Sequence, residues 1–253
     1  MNKKNKIFFV SDVHLGLNDC ISSDERETLL VDWLDKIKDQ AKEINFLGDC
    51  FDFWFEYKYV VPRGFVRFLA KLRELSENEV VVNFFTGNHD LWTFGYLQKE
   101  CKVNLFREAV IREIDGKIFF IGHGDGLGGF NIKHNLLKWV FVNRFFQFLF
   151  KIIHPSVSFK IATCCSKSSY KKHYTIKKEN NKEELLVKYA KKVLEKNHID
   201  FFIFGHTHNP FQIEIGENSV FTNIGDWVKN FTYAIYEENN LILKKYDFQK
   251  LLS

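Results

Sequence analysis

Five short strings in this 253-residue chain set carboxylates, imidazoles and an amide beside glycine. They are Asp12-x-His14, Gly48-Asp49, Gly87-Asn88-His89-Asp90, Gly122-His123 and Gly205-His206-x-His208. A single histidine in such a place is ordinarily a satisfied structural residue. Five of the nine histidines gathered this way, next to Asp and Asn and with no cysteine in the set, call for another explanation. Metal chemistry supplies it: imidazole suits zinc, iron, manganese and similar ions, and carboxylates suit harder ones. A mixed His/Asp/Asn set points to two divalent ions rather than a structural zinc. Ions about 3.5–4 Å apart can share a bridging carboxylate and a bridging hydroxide. Asp49 is the expected bridge. It stands with Asp52 among Phe51, Phe53, Trp54 and Phe55, where a carboxylate without a cationic partner would be costly. The alternating pairs Asp12-x-His14 and His206-x-His208 are expected to point their side chains to one side of an extended segment.

The elements that must position these residues are legible as apolar runs. Strands are expected at "IFFVS", "INFLGD", "VVVNFFTGNHD", "KIFFIGHGD" and "DFFIFGHTH", each ending in one of the polar strings. Helices are expected over roughly 24–42, with Leu29, Leu30, Trp33, Leu34 and Ile37 at helical spacing, and over "FVRFLAKLRELSE". Strands alternating with helices imply an α/β architecture, and in such sheets ligands bind at the carboxyl ends of the strands. The five strings are therefore expected along one edge of a sheet. The C-terminal "FQIEI", "SVFTNIGDW", "TYAIYEE" and "LILKKYDF" look like a run of antiparallel strands, forming a second sheet packed on the first.

Composition bounds the rest. A hydrophobic content of 45% with 27% charged residues is that of an ordinary globular protein, and three prolines with no low-complexity linker favour one domain over 1–253. The five cysteines are odd in number and lack CxxC spacing, so free thiols in a reducing compartment are expected. The apolar run at Ile7–Val10 is too short for a signal peptide, and no transmembrane stretch is evident. A cytoplasmic protein is expected. The net charge of +4 is unevenly spread: residues 133–196 hold 15 Lys/Arg against 4 Glu, a net of +11, and the remainder is −7. The lysines there follow the aromatics rather than alternate with them, which argues against a nucleic-acid site.

In order and spacing, "DVH", "GDCFD", "GNHD", "GHG" and "GHTH" resemble the five blocks of the calcineurin-like metallophosphoesterases. The resemblance runs from Asp12 to His208 and implies a four-layer α/β/β/α sandwich with a two-metal site. It implies Asp12, His14, Asp49 and His208 around one ion and Asp49, Asn88, His123 and His206 around the other. His89 would then stabilise the transition state or leaving oxygen, and Asp52 would orient His89 through its other ring nitrogen; a turn or helix cap is the plainer reading of Asp52. Retention of all seven ligands argues against a non-catalytic scaffold.

"SDVHLG", "GDCFDFWFEY", "GNHDLW" and "HGDGLG" further resemble the UDP-2,3-diacylglucosamine diphosphatase branch of that family. That branch implies hydrolysis of a lipid-linked UDP-sugar to UMP and a diacylglucosamine 1-phosphate in lipid A synthesis, with Mn²⁺ as cofactor. The apolar segment described below, with its flanking lysines, points to work at the cytosolic face of the inner membrane as a peripheral protein, and no obligate protein partner is evident. Substrate contacts implied are Asn88, His89, Asp125, Ser166, Lys167, Lys171 and His206. One departure is "GNHD", where the best-known members of the branch carry "GNRD". A soluble phosphodiesterase or phosphatase acting on nucleotides is the alternative. The segment over about 127–198 would form a helical lid. Its "LLKWVFVNRFFQFLFKIIHPS" reads as one helix with a narrow polar stripe of Arg144, Gln147, Lys151 and His154. A helix so apolar must be buried, paired or in contact with lipid. It is either a wall for acyl chains or an ordinary core helix.

Overall fold

Apolar runs without alternation belong to strands covered on both faces, and five such runs are strands among the described residues. The computed structural model describes residues 4–128, 139–161, 164 and 181–248, with the side chains of 181–183 left aside. Elements in chain order are β1 (Lys6–Val10), α1 (Ser23–Ile37), β2 (Ala41–Leu47), α2 (Val66–Glu77), β3 (Val81–Phe85), α3 (Tyr96–Glu100), β4 (Asn104–Phe106), β5 (Val110–Ile114), β6 (Lys117–Ile121), α4 (Arg144–Ile152), α5 (Asn181–Leu194), β7 (Phe201–Phe204), β8 (Phe211–Ile215), β9 (Ser219–Asn223), β10 (Thr232–Glu237) and β11 (Asn240–Lys245).

Two sheets result, ordered β11-β10-β1-β2-β3-β4 and β5-β6-β7-β9-β8. β1 to β4 run parallel, as do β6, β7 and β9. Strand periodicity sorts their side chains into three cores. Ile7, Phe9, Leu47 and Phe85 meet Phe119, Ile121, Phe201 and Ile203 between the sheets. Phe8, Val10, Phe46 and Phe84 pack outward against Trp33, Leu34, Phe68 and Leu72 of α1 and α2. Phe120, Phe202 and Phe204 pack outward against Leu186 and Ala190 of α5. The expected α/β/β/α sandwich is what these three cores build.

A buried carboxylate bridges the two sheets. Buried Glu43 of β2 takes a bidentate contact from Arg112 of β5, 2.8 Å at each oxygen, and bonds from Asn45 and Asn83 at 2.9 Å. Paired forks of this kind are directional as well as strong. They fix how one sheet is offset on the other, which matters because both contribute to the site.

Several elements differ from the sequence expectation. The polar strings lie on the ends of strands from both sheets, not along one edge. The C-terminal strands do not form one antiparallel run: β8 and β9 join the second sheet, where β9 lies parallel to β7, whereas β10 and β11 extend the first. α1 begins at a capping box between Ser22 and Glu25 but stops at Ile37, short of residue 42. Gln40 N closes a turn onto Ile37 O, and Ala41 pairs with Lys6. Strand pairing overrides the helix propensity of "AKE". The β5–β6 hairpin was not foreseen, although Asp115-Gly116, both at positive φ, is the expected two-residue turn chemistry.

The Phe-rich run is not one helix. Residues 139–142 are helical, Asn143 breaks the run and caps α4 by accepting from Phe145 N at 2.9 Å, and a second break precedes Pro155. No residue of α4 is buried. Among the described residues no helix is long and apolar enough to cross a membrane.

Candidate metal centre

Every metal-ligating residue expected from sequence lies at or just past the end of β1, β2, β3, β6 or β7. The backbone there is unusual. Asp12, His14, Asp49, His206 and His208 all have positive φ, between 48° and 67°. Non-glycine residues in this left-handed region cost on the order of 1–3 kcal/mol each, and such strain persists where surrounding structure over-determines it. The segments carrying the alternating pairs are therefore not extended as expected. Residues 206 and 208 serve different neighbours: His206 packs its ring against His123, and His208 stacks on His14. Close approach explains two of the glycines. A Cβ at Gly87 would lie 2.2 Å from Asp49 Oδ1, and one at Gly205 would lie 2.4 Å from Asp12 Oδ2.

The ligand atoms fall into three overlapping groups, each with atoms within 4.8 Å of one another: Asp12, His14 and His208; His14, Asp49 and His89; and Asp49, His123 and His206. Asp12 Oδ1 faces His208 Nε2 at 3.2 Å and His14 Nε2 at 3.8 Å. Asp49 Oδ2 faces His123 Nε2 at 3.2 Å and His14 Nε2 at 3.9 Å. Asp49 thus sits where the groups meet. The remaining oxygens are spoken for: Asp12 Oδ2 accepts from Ser11 Oγ and His206 N, and Asp49 Oδ1 accepts from His89 N at 2.8 Å. His123 Nδ1 is 2.8 Å from Leu47 O, which directs Nε2 inward.

These residues fit divalent metal. Asp12 Oδ1, both ring nitrogens of His14, Asn88 Oδ1 and His123 Nε2 are buried without a hydrogen-bond partner. Buried polar atoms are nearly always satisfied, and the orphans here converge. Burial pushes the Asp49 carboxyl up, but the charges of His123, His89 and His14 outweigh it and hold it well below the usual carboxylate range. Burial alone would lower His14; the carboxylates of Asp12 and Asp52, at 3.8 and 3.6 Å, and the charge of Asp49 instead raise it to about 10. Ionised buried carboxylates and imidazoles drawn toward the charged form mark a pocket that favours cations.

Asp52 does not hold His89 in the expected way. Its backbone carbonyl, 2.8 Å from His89 Nδ1, takes that role. Its carboxylate lies between His14 Nδ1 at 3.6 Å and His89 Nδ1 at 3.8 Å. Asp125 is half-buried in the turn after β6, near enough to His123 to add to its raised pKa. Ser166, Lys167 and Lys171 lie outside the described residues.

Sequence reasoning passed over three supports. Asp90 accepts from Gly87 N at 2.7 Å and Cys50 N at 2.8 Å, tying two ligand loops together; burial and the Asp49 charge raise it to about 7. Buried Arg26 of α1 donates to the carbonyls of His14 and Leu17. Asp226 stands behind His208. Asp90 was visible as the last residue of a recognised string, and Arg26 and Asp226 only as polar residues outside the strings.

Beside the centre, Phe53, Phe55 and Trp92 form an aromatic shelf. Phe150 of α4 packs on it, 4.5 Å between ring centroids from Trp92 and 5.0 Å from Phe55. Trp92 Nε1 donates to Phe141 O at 2.7 Å. On the other side of α4, Phe145, Phe148 and Ile152 are exposed by about 60% of their surface or more.

The sequence pattern of the calcineurin-like phosphoesterase family matches residues 5–210, which include all seven ligand candidates. The chain belongs to that family. It is thus a metal-dependent phosphoesterase, of a family that uses divalent ions. A UDP-2,3-diacylglucosamine hydrolase of Porphyromonas gingivalis is 34% identical over 95% of this phosphoesterase and 97% of its own length. One from Blochmanniella pennsylvanica is 28% identical over 94% of each chain. Among solved structures, a dimetal phosphatase from Danio rerio covers 96% of each chain with a TM-score of 0.50 at 14% identity, a likeness of fold.

Proposed function

We propose that this phosphoesterase hydrolyses the pyrophosphate bond of UDP-2,3-diacylglucosamine to UMP and 2,3-diacylglucosamine 1-phosphate, a step of lipid A synthesis. The observation that carries the reading is the placement of Asp49 between two groups of buried, orphaned ligand atoms, next to an aromatic shelf and the apolar α4. The near-full-length likeness to hydrolases of that name supports the substrate.

In this reading Asp12, His14, Asp49 and His208 hold one divalent ion, and Asp49, Asn88, His123 and His206 hold the other, with Mn²⁺ as the working metal. When bound, the ions supply a water acidic enough to be hydroxide near neutral pH and positive charge for the phosphoryl oxygens. The protein does the rest by position. Asp49 joins the two halves. Leu47 O fixes the tautomer of His123, since a neutral imidazole whose Nδ1 donates must offer Nε2. Asp52 O does the same for His89, leaving Nε2 to meet a phosphoryl or leaving oxygen. Asn88, His89, Asp125 and His206 border the diphosphate, with Ser166, Lys167 and Lys171 as its further contacts. The shelf and α4 take the acyl chains, which places the enzyme at the cytoplasmic membrane surface as a peripheral protein.

The test is a product assay with Mn²⁺ on UDP-2,3-diacylglucosamine, deacylated UDP-glucosamine and a generic phosphodiester. UMP from the acylated substrate alone is expected. Hydrolysis of only the generic ester would leave a soluble phosphodiesterase, a reading to which His89 in "GNHD" is suited.

A further inference from the structure

The residues beyond the matched 5–210 contribute a carboxylate to the back of the metal centre. Asp226 follows β9 and is buried. Its Oδ1 accepts from the amides of Val228, Lys229 and Asn230 at 2.8, 2.6 and 3.1 Å. Its Oδ2 accepts from Asn230 Nδ2 at 2.9 Å and lies 3.7 Å from His208 Nδ1. Asn230 Nδ2 also donates to His208 O at 2.8 Å, and Trp227 N donates to Asp12 O at 3.1 Å. The turn over 226–230 therefore grips two members of the Asp12–His14–His208 group. His123, in the other group, faces a backbone carbonyl instead.

We propose that Asp226 is a positioning residue that keeps the proton of His208 on Nδ1, leaves Nε2 open beside Asp12, and so sets the affinity of one metal position without touching the other. The inference rests on the two-ion reading. Its chemistry is general: the partner of one imidazole nitrogen decides what the other can do, and a carboxylate behind a ligating histidine strengthens it as a donor.

Asp226→Asn keeps the three backbone bonds of the turn and loses only the one from Asn230 Nδ2, a bond that Asn230→Ala removes as well. The amide oxygen goes to the three backbone N–H groups that Oδ1 now serves. The amide NH₂ then faces His208 Nδ1, where it needs an acceptor, and the ring proton moves to Nε2. An amide in place of a carboxylate behind a catalytic histidine inverts the tautomer in the same way. Equilibrium dialysis of the full chain against graded Mn²⁺, with metal counted per chain, reads the effect. Wild type is expected to bind two equivalents. Asp226→Asn is expected to keep one at wild-type concentrations and to need about 10–100-fold more Mn²⁺ for the other. Asn230→Ala, which releases the His208 backbone and leaves the carboxylate behind the ring, is expected to keep both. Two wild-type equivalents in Asp226→Asn, loss of both, or the same loss in Asn230→Ala would overturn the proposal. Wild type binding fewer than two would overturn the two-ion reading itself. Imidazole nitrogen shifts of wild-type His208 give a check without any variant: the Nδ1–H tautomer is expected, and Nε2–H would refute it.

Discussion

The metal centre and α4 lie side by side and are built on opposite terms. At the centre, Asp12, His14, Asp49 and His123 are each 3% exposed or less. The backbones of Asp12, His14 and Asp49 are strained, and the polar atoms of all four have designated partners or face the ligand groups. α4 has no buried residue, and it is tied down by Phe150 on the aromatic shelf and by Gln147, which donates to the same Phe141 carbonyl that Trp92 holds. The difference follows from the forces each region uses. Metal coordination and proton placement tolerate errors of a fraction of an ångström, so their ligands sit on strand ends locked by three cores. Apolar contact is non-directional and scales with area, so a helix offering Phe145, Phe148 and Ile152 needs only to be near.

The contrast can be broken most severely at its fixed side. Asp49→Asn is expected to reduce turnover by more than about a thousandfold, beyond the 10–100-fold typical of disturbing an outer partner, with loss of metal measured per chain. Near-normal turnover would remove Asp49 from the junction. Asp52→Asn retains the carbonyl that fixes His89 and alters only the carboxylate between the His14 and His89 rings. A loss of roughly 10–100-fold in kcat with both metals retained is expected; loss of a metal would make Asp52 a ligand. Phe150→Ala tests the other region. It is expected to lower kcat/KM on the acylated substrate by about tenfold, a loss of about 1.4 kcal/mol, and to leave a generic phosphodiester unaffected. Equal losses on both would mean that α4 supports the centre rather than the substrate. Asn143→Ala, which removes the cap of α4, is expected to have the smallest effect, about 1 kcal/mol of local helix stability, seen as faster amide exchange confined to α4.

The same division governs what the sequence discloses. The ligand candidates Asp12, His14, Asp49, Asn88, His123, His206 and His208 were legible as a set because each follows an apolar strand, and the family resemblance supplied their assignment to two ions. Their partition between two sheets was not, because an apolar run says that a strand is covered on both faces and not which strands it pairs with. The end of α1 was misplaced for a related reason: "AKE" favours helix locally, and only pairing with β1 makes it strand. Asn143 was passed over inside an apolar run, though its capping chemistry is ordinary. Asp226 stayed hidden because its role depends on His208, 18 residues earlier in the chain and brought close only by the return of β9 alongside β7.

That both sheets contribute ligands also orders events during synthesis. Asp12, His14, Asp49 and Asn88 emerge early, yet His206 and His208 follow only after four-fifths of the 253 residues have been made. A nascent chain thus presents half a coordination sphere on the ribosome, with no means of closing it. An ion held by these residues is fully coordinated only once strand ends of both sheets have been brought together.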